Sequence, residues 1–216
     1  MAKLRQPVGT KRRIPRQARA AETVAAILEA TAQILEKGGL VALTTNAVAE
    51  RAGVSVGTLY QYFDNKDALL LALAQQETEA TLADVARALK GEIDPSPQAR
   101  VRAMVRVLVN AFGGRRRARK AVMLAILTQG AAPTLMAPVV AFVAEQGSRV
   151  GQAQQAIFSK LTPEQVFVLS RATMGIIRTA VLEEQPFLTS PTFEDEIVRL
   201  VLAYLTAIMT QSAARG

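Results

Sequence analysis

The chain has 216 residues, half of them hydrophobic, and a formal net charge of +8. It contains neither cysteine nor histidine, which excludes disulfides and thiolate chemistry and removes the commonest general base and metal ligand. We therefore expect a protein that is not an enzyme and that has no cofactor and no metal site, while the positive charge favours a polyanionic partner.

The N-terminal segment, residues 1–19, is basic and contains no acidic residue. No apolar stretch with a cleavage site follows it, so it does not resemble a secretory signal, although its composition leaves a transit peptide open. No apolar run in the chain reaches about 18 residues without a charge, which predicts no membrane span. We expect a disordered basic arm on a cytoplasmic protein without a membrane partner. The arm either contacts DNA or only increases solubility.

Helix signals dominate the rest of the chain, and strand signals are nearly absent, so the sequence predicts an all-α protein. The first helix is predicted from about Arg16 to Lys37, where Gly38–Gly39 ends it. A second, short helix covers Asn46–Ala52, with Thr45 as its N-cap and Gly53 at its end.

A third helix is predicted over Val56–Phe63, with Ser55 as its N-cap, and a fourth runs from Lys66 to about Lys90. Asp64 or Asn65 caps the fourth helix. Further helical segments are expected from Pro97 to Phe112, over Val122–Leu127, from about Val139 to Lys160, over Pro163–Glu184 and over Thr192–Ser212.

The segment 39–70 reads GLVALTTNAVAERAGVSVGTLYQYFDNKDALL. Two short helices joined by a tight turn with glycine form the arrangement that places a second helix in the DNA major groove. A helix as short as the third one is unstable alone, so packing beneath it is required. Val54, Leu59 and Phe63 supply that packing. The opposite face presents uncharged hydrogen-bonding groups suited to base edges and phosphates, from Ser55, Thr58, Gln61 and Tyr62.

The string from Thr45 to Leu70 resembles the signature of the TetR family of helix-turn-helix regulators, most specifically in AGVSVGTLYQYF followed by NK and DALL. The resemblance covers roughly residues 20–73, and Val48 departs conservatively from the commoner isoleucine. It implies a small N-terminal three-helix DNA-binding head and a larger helical body for ligand binding and dimerisation. We accordingly expect a basic arm over 1–19, the head over 20–68 and the body over 69–212.

The resemblance also assigns roles to residues. Thr45 is expected to cap the second helix and touch a phosphate, and Lys66 to contact phosphate. The expected DNA-binding residues are Thr45, Ser55, Val56, Gly57, Thr58, Tyr60, Gln61, Tyr62 and Lys66. The implied function is sequence-specific binding of double-stranded operator DNA by a homodimer, most often a repressor that a small-molecule effector releases from its operator.

Two sets of body residues are candidates for the other expected functions, although each residue can equally be ordinary core. The candidate ligand pocket consists of Phe112, Met123, Ile126, Leu127, Phe142, Phe167, Met174 and Arg178. The candidate dimer interface consists of Ala172, Gly175, Ile176, Thr179, Val201, Tyr204, Leu205 and Ile208. Arg171 and Arg178 leave the polarity of the ligand open, and a mild hypothesis is a hydrophobic effector.

Several alternatives remain at this point. A helical small-molecule-binding enzyme is disfavoured because the acidic residues are scattered, and a membrane-surface protein gives the helix-turn-helix string no purpose. The basic run 115–120 is either a solvated helix start or a contact for a partner or the DNA backbone. The sequence does not distinguish activation from repression, and it identifies neither the operator nor the effector.

Overall fold

The computed structural model describes residues 16–91, 96–131, 133–135, 137–139, 141–142 and 161–213, and these contain no strand. The predicted all-α class is confirmed. The long helix predicted from Val139 to Lys160 lies almost entirely outside the described residues, as does most of the arm. The named helices are α1 (Arg16–Ala42), α2 (Thr45–Ala52), α3 (Val56–Tyr60), α4 (Lys66–Gly91), α5 (Pro97–Gly113), α6 (Arg116–Thr128), α7 (Pro163–Leu182) and α8 (Pro191–Ala213). We call α1–α3 the head and α4–α8 the body.

The first helix is interrupted at the predicted glycine pair but does not end there. Gly39 has φ 63° and ψ −163°, a non-helical conformation that kinks α1 before its last residues. Glycine adopts this conformation at no steric cost because it has no Cβ. The kink leads the chain into the connection to α2, where Leu43 is buried and Leu40 packs against the same cluster.

The N-cap of α2 is Thr44, not Thr45. Thr44 has extended backbone angles, and its side-chain oxygen accepts a hydrogen bond from the Ala47 amide at 3.1 Å. The predicted capping role of Thr45 is therefore wrong, because Thr45 is already the first helical residue of α2.

Helix α3 begins where the sequence predicts and ends earlier. Ser55 caps it by accepting from the Thr58 amide at 3.0 Å. The helix stops at Tyr60, and the amides of Tyr62 and Phe63 both donate to Leu59 O in the turn that follows. At the start of α4, the Ala68 amide donates to Asn65 Oδ1 at 2.8 Å, so of the two candidate caps Asn65 is the one used.

The head rests on one buried cluster that continues into the body. Leu59 is fully buried and Phe63 is 8% exposed, while Val54 packs against the same cluster. Residues of α4 and of α6 join this cluster, among them Leu69 and Val122. The head is therefore supported by two body helices rather than by α4 alone.

Helices α1 and α6 satisfy each other's terminal backbone groups. Arg115 at the N-cap of α6 makes no side-chain cap, and instead Glu36 of α1 accepts from the Ala118 amide at 3.0 Å. In return Arg117 donates to Lys37 O at 3.2 Å, near the kink of α1. The free amides at a helix start and the free carbonyls at a helix end require such partners.

Ion pairs complete this junction. Arg115 donates two hydrogen bonds to Glu29, at 2.9 and 2.7 Å, and Lys120 pairs with Glu184. All five basic side chains of the run 115–120 bind other parts of this chain, and three of them, Arg115, Arg116 and Arg117, remain exposed.

A second core holds α5, α7 and α8 together, and it includes Val105, Ile177 and Ile197. Thr162 caps α7 through a reciprocal capping box with Gln165. By length and apolar composition α7 is long enough to cross a membrane, but its buried face belongs to this core, and core helices of soluble proteins meet the same criterion.

Candidate nucleic-acid interface and body cavity

The face of α3 opposite Leu59, together with the turn that follows this helix, is exposed as the sequence predicts. Tyr60 is 49% and Tyr62 is 38% exposed, and Val56 is 39% exposed. Ser55, Gly57, Gln61 and Lys66 are also exposed, while Thr58 is half-buried. Because Leu59 and Phe63 anchor the other side, this polar face is presented on a rigid base.

Hydrogen bonds hold the side chains of this face in position. The hydroxyls of Ser55 and Thr58 lie 2.8 Å apart and share a hydrogen bond. The hydroxyls of Thr45 and Tyr60 lie 3.2 Å apart, which ties α2 to α3. Fixed donors and acceptors of this kind lose little conformational freedom when they bind base edges or phosphate oxygens.

The charge distribution of this face limits how it can recognise DNA. No arginine or lysine occurs between Val56 and Asn65, so the bidentate arginine contact to guanine is not available from α3 itself. Lys66, the first residue of α4, is exposed beside the face. The geometry suits readout by hydroxyl and amide groups, with positive charge at the edge.

The body encloses a cavity of about 300 Å³ between α4, α5, α6 and α7. Six of the predicted pocket residues line it: Phe112, Met123, Ile126, Leu127, Met174 and Arg178. The cavity is open to solvent at one side. Apolar walls with a few polar groups are typical of small-molecule sites.

Two predicted pocket residues do not line this cavity. Phe167 is 60% exposed near the start of α7, where the guanidinium of Arg171 lies 5.3 Å from its ring centre. Phe142 is half-buried outside the lining. Phe167 lies seven residues before Met174 and therefore on the same face of α7. Helical spacing identifies this shared face, but it does not show where along the helix the cavity ends.

The cavity contains an ion pair that the sequence does not reveal. Arg119 Nη1 lies 3.5 Å from Glu77 Oε2, and both side chains are mostly buried. Burial raises the pKa of the Glu77 carboxyl above its ordinary value, and the opposing effect of the charges of Arg119 and Arg115 is smaller. The Arg119 guanidinium also lies 5.4 Å from the ring centre of Phe112.

Residues 27–73 match the family model described as bacterial regulatory proteins, tetR family. The N-terminal part of this chain is therefore similar to the DNA-binding domain of the TetR family. The match includes α2, α3 and the start of α4, and therefore every predicted DNA-binding residue.

This chain is also similar to the HTH-type transcriptional repressor KstR of Mycolicibacterium smegmatis. The two are 50% identical over 62 residues, which are 29% of this chain and 30% of that protein. The matches to the first three such repressors span between 23% and 30% of their length. Sequence identity at this level therefore extends over less than a third of this chain and of each of these relatives.

Solved structures share the fold over most of this chain's length. The fatty acid degradation regulator FadR from Bacillus halodurans has a TM-score of 0.61 at 16% identity, covering 82% of this chain and 97% of that one. The multidrug binding protein EbrR complexed with ethidium has a TM-score of 0.59 at 23% identity, covering 85% and 98%. The architecture of this chain, a small N-terminal helical head on a larger helical body, is therefore a fold that these structures share.

The predicted dimer residues fall into two groups. Val201 and Leu205 are 0% and 4% exposed within the chain's own second core, so they present no side chain to another subunit. Their assignment to an interface was wrong because a wide apolar stripe on α8 does not show which part its own chain covers. The accessible residues are Ala172, Gly175, Ile176, Thr179, Tyr204 and Ile208, with Gly175 also lining the cavity.

Proposed function

We propose that this protein is a sequence-specific regulator of transcription that binds double-stranded operator DNA through α3. The observation that carries the proposal is the exposed polar face of α3, fixed by hydrogen bonds and by the buried Leu59, in a domain similar to that of the TetR family. Thr45, Tyr60 and Lys66 lie at the edge of the face and contact phosphates, while the residues from Ser55 to Thr58 enter the groove.

The DNA-binding form is a homodimer that uses the uncovered face of α7. Phe167 and Val168 are 60% and 48% exposed there, so two neighbouring large apolar side chains are accessible for a second subunit to cover. The small residues Ala172 and Gly175 permit a close approach of a second α7. Two heads in a dimer read half-sites roughly 34–36 Å apart, or at a related spacing.

The cavity binds a small-molecule effector whose occupancy changes operator affinity. Its walls include residues of α4 and α6, the two body helices that support the head. A ligand that prefers a different arrangement of these helices lowers the affinity for operator, and operator lowers the affinity for ligand by the same factor. We infer that the protein is a repressor, because several of its relatives are named transcriptional repressors.

The chain acts by binding rather than by catalysis, and it works without a cofactor in the cytoplasm, where bacterial DNA is accessible. The rival functions, a helical enzyme and a membrane-surface protein, leave the polar face of α3 without a role. Vesicle binding in the absence of any selected DNA sequence is the result that would favour the membrane-surface function.

The test is selection of duplexes from a randomised pool, followed by titration of the selected site by fluorescence anisotropy at several salt concentrations. We expect a two-fold-symmetric site whose affinity falls with salt. Tyr62→Ala is expected to lower affinity at least about tenfold, since a hydrogen bond to a charged group contributes roughly 1.5–3 kcal/mol. Gln76→Ala, a change at an exposed residue of α4 outside both proposed surfaces, is the control. If no sequence is enriched, or Tyr62→Ala binds like the wild type, α3 does not read DNA.

A further inference from the structure

We propose that the body cavity binds an apolar molecule with a single anionic head group, and that Arg178 holds this head group. The inference rests on the proposed effector role of the cavity and specifies the chemical class of the ligand. It depends on two independent features, the apolar walls and the unbalanced positive charge.

The apolar part of the site is continuous across three helices. Phe112 from α5, Met123 and Ile126 from α6, and Met174 from α7 all line the cavity. Such walls gain free energy by removing apolar ligand surface from water, at roughly 25 cal/mol per Å². Methionine side chains adapt to an irregular outline, which suits a flexible hydrocarbon.

The charges of the cavity do not cancel. Three arginines and one glutamate line it, and Arg119 is paired with Glu77. This leaves Arg171 and Arg178, which stand seven residues apart on α7 and therefore on the same face, about 10 Å apart along the axis. Neither makes an ion pair with a described acid. A cation entering this site meets uncompensated positive charge.

Arg178 is the better placed of the two for a ligand. Arg171 already stacks on the Phe167 ring, whereas Arg178 has no hydrogen bond, ion pair or ring contact with any residue that the structure describes. Its side chain is exposed at the edge of the cavity. A carboxylate can accept two parallel hydrogen bonds from a guanidinium while remaining partly hydrated, so the tail is buried without burying the charge.

The test compares three probes with the same ten-carbon tail, namely decanoate, decanol and decyltrimethylammonium. Each is titrated into the full chain by calorimetry, below its micelle concentration and without DNA. We expect decanoate to bind at least tenfold more tightly than decanol, a difference of about 1.4 kcal/mol, and the ammonium compound to bind most weakly. Arg178→Gln is expected to remove the preference for decanoate while leaving decanol binding within about twofold.

Arg199→Gln is the control for the loss of one positive charge, since Arg199 is exposed on α8 and pairs with Glu196 instead of lining the cavity. It should preserve the preference for decanoate. Equal binding of decanoate and decanol, no binding of decanoate, or a preference that survives Arg178→Gln would overturn the inference. Anisotropy on the selected operator separates the two proposals: decanoate bound without any change in operator affinity contradicts the effector role and leaves the ligand class standing.

Discussion

At the scale of single residues, Gly57 tests how closely the α3 backbone approaches DNA. It lies in α3 on the exposed face and has ordinary helical geometry. A Cβ added there would find only Ser55 Oγ, at 3.8 Å, so alanine fits the free protein. Because alanine is about 1 kcal/mol more favourable than glycine inside a helix, Gly57→Ala should leave the free energy of unfolding unchanged or raise it. We expect operator affinity to fall by about tenfold or more, since the methyl group blocks the approach of the DNA backbone.

Urea denaturation and anisotropy on the same samples check both halves of this prediction. Gly114→Ala is the matched control, because a Cβ at Gly114 also meets nothing within 4 Å and the residue lies at the end of α5. The control should keep wild-type operator affinity. A Gly57→Ala protein with full affinity would show that the α3 backbone does not approach DNA.

Two glutamates should give stability profiles of opposite slope with pH. Burial raises the pKa of Glu77, so the folded state holds its proton more tightly than the unfolded state does. Its contribution to stability is therefore present near and below the ordinary value of 4.5 and is lost as pH rises through the raised pKa. The hydrogen bond from Arg115 lowers the pKa of Glu29, whose contribution is present above 4.5 and is lost as pH falls.

The measurement is the free energy of unfolding of the wild type, Glu77→Gln and Glu29→Gln from about pH 3 to about pH 7. The wild type minus Glu77→Gln difference should fall as pH rises above 4.5, and the wild type minus Glu29→Gln difference should fall as pH drops below 4.5. Parallel slopes for the two differences would contradict the assignment of burial as the main influence on Glu77.

The threonine pair shows what local sequence can and cannot predict. Thr44 and Thr45 are equally good N-caps by chemistry. The register is decided by Leu43, which is 2% exposed and fixes where the chain enters the core. The exposed face of α3 was predictable because it follows from spacing and from a specific motif, whereas the cap depends on packing that only the folded chain supplies.

At the scale of elements, the junction of α1 and α6 depends on Glu36. Its carboxylate accepts from the Ala118 amide, the position that a helix's own N-cap usually satisfies. Glu36→Ala should lower the free energy of unfolding by about 1 kcal/mol, the usual cost of losing a cap. Glu36→Gln should lose less, because the amide oxygen can accept the same hydrogen bond.

Glu50→Ala is the control, since Glu50 is exposed on α2 and its replacement removes the same charge. Chemical denaturation of the three variants decides the prediction. If Glu36→Ala and Glu50→Ala are equally stable, the cap supplied by Glu36 contributes nothing to the junction.

The sequence could not predict the junction of α1 and α6, because the residues that it joins are about eighty positions apart. In the sequence, Glu36 and Arg117 look like ordinary surface charges. The cavity illustrates the same limit. Met123 and Met174 were predictable from apolar spacing, but Glu77 was not, because its burial depends on the position of Arg119 across the helix pair. Helical spacing identifies a face, and only the packing of several helices identifies what that face meets.

At the scale of the whole molecule, the head is connected to the cavity along two routes. Helix α4 follows the head directly in the chain, and residues further along it line the cavity. Helix α6 adds a second route, because Arg117 and Ala118 bind α1 while Met123 and Ile126 line the cavity. If the cavity has the proposed effector role, a ligand acts on the head through both helices, and a change that weakens the α1–α6 junction should reduce the effect of ligand on operator affinity.

The proposed dimer determines whether two heads reach DNA together, and a single change on α7 tests it. Ala172→Glu places a charge on the exposed, small-residue face of α7, where a second subunit would have to bury it. We expect a shift from dimer to monomer in analytical ultracentrifugation. Affinity for the two-fold-symmetric site should fall at least about a hundredfold, since the second head is no longer held at high effective concentration. Ala83→Glu, the same change on the exposed face of α4, should leave both quantities unaltered. A dimer that persists in Ala172→Glu with full affinity would move the interface away from α7, and the exposed Phe167 and Val168 would then need another explanation.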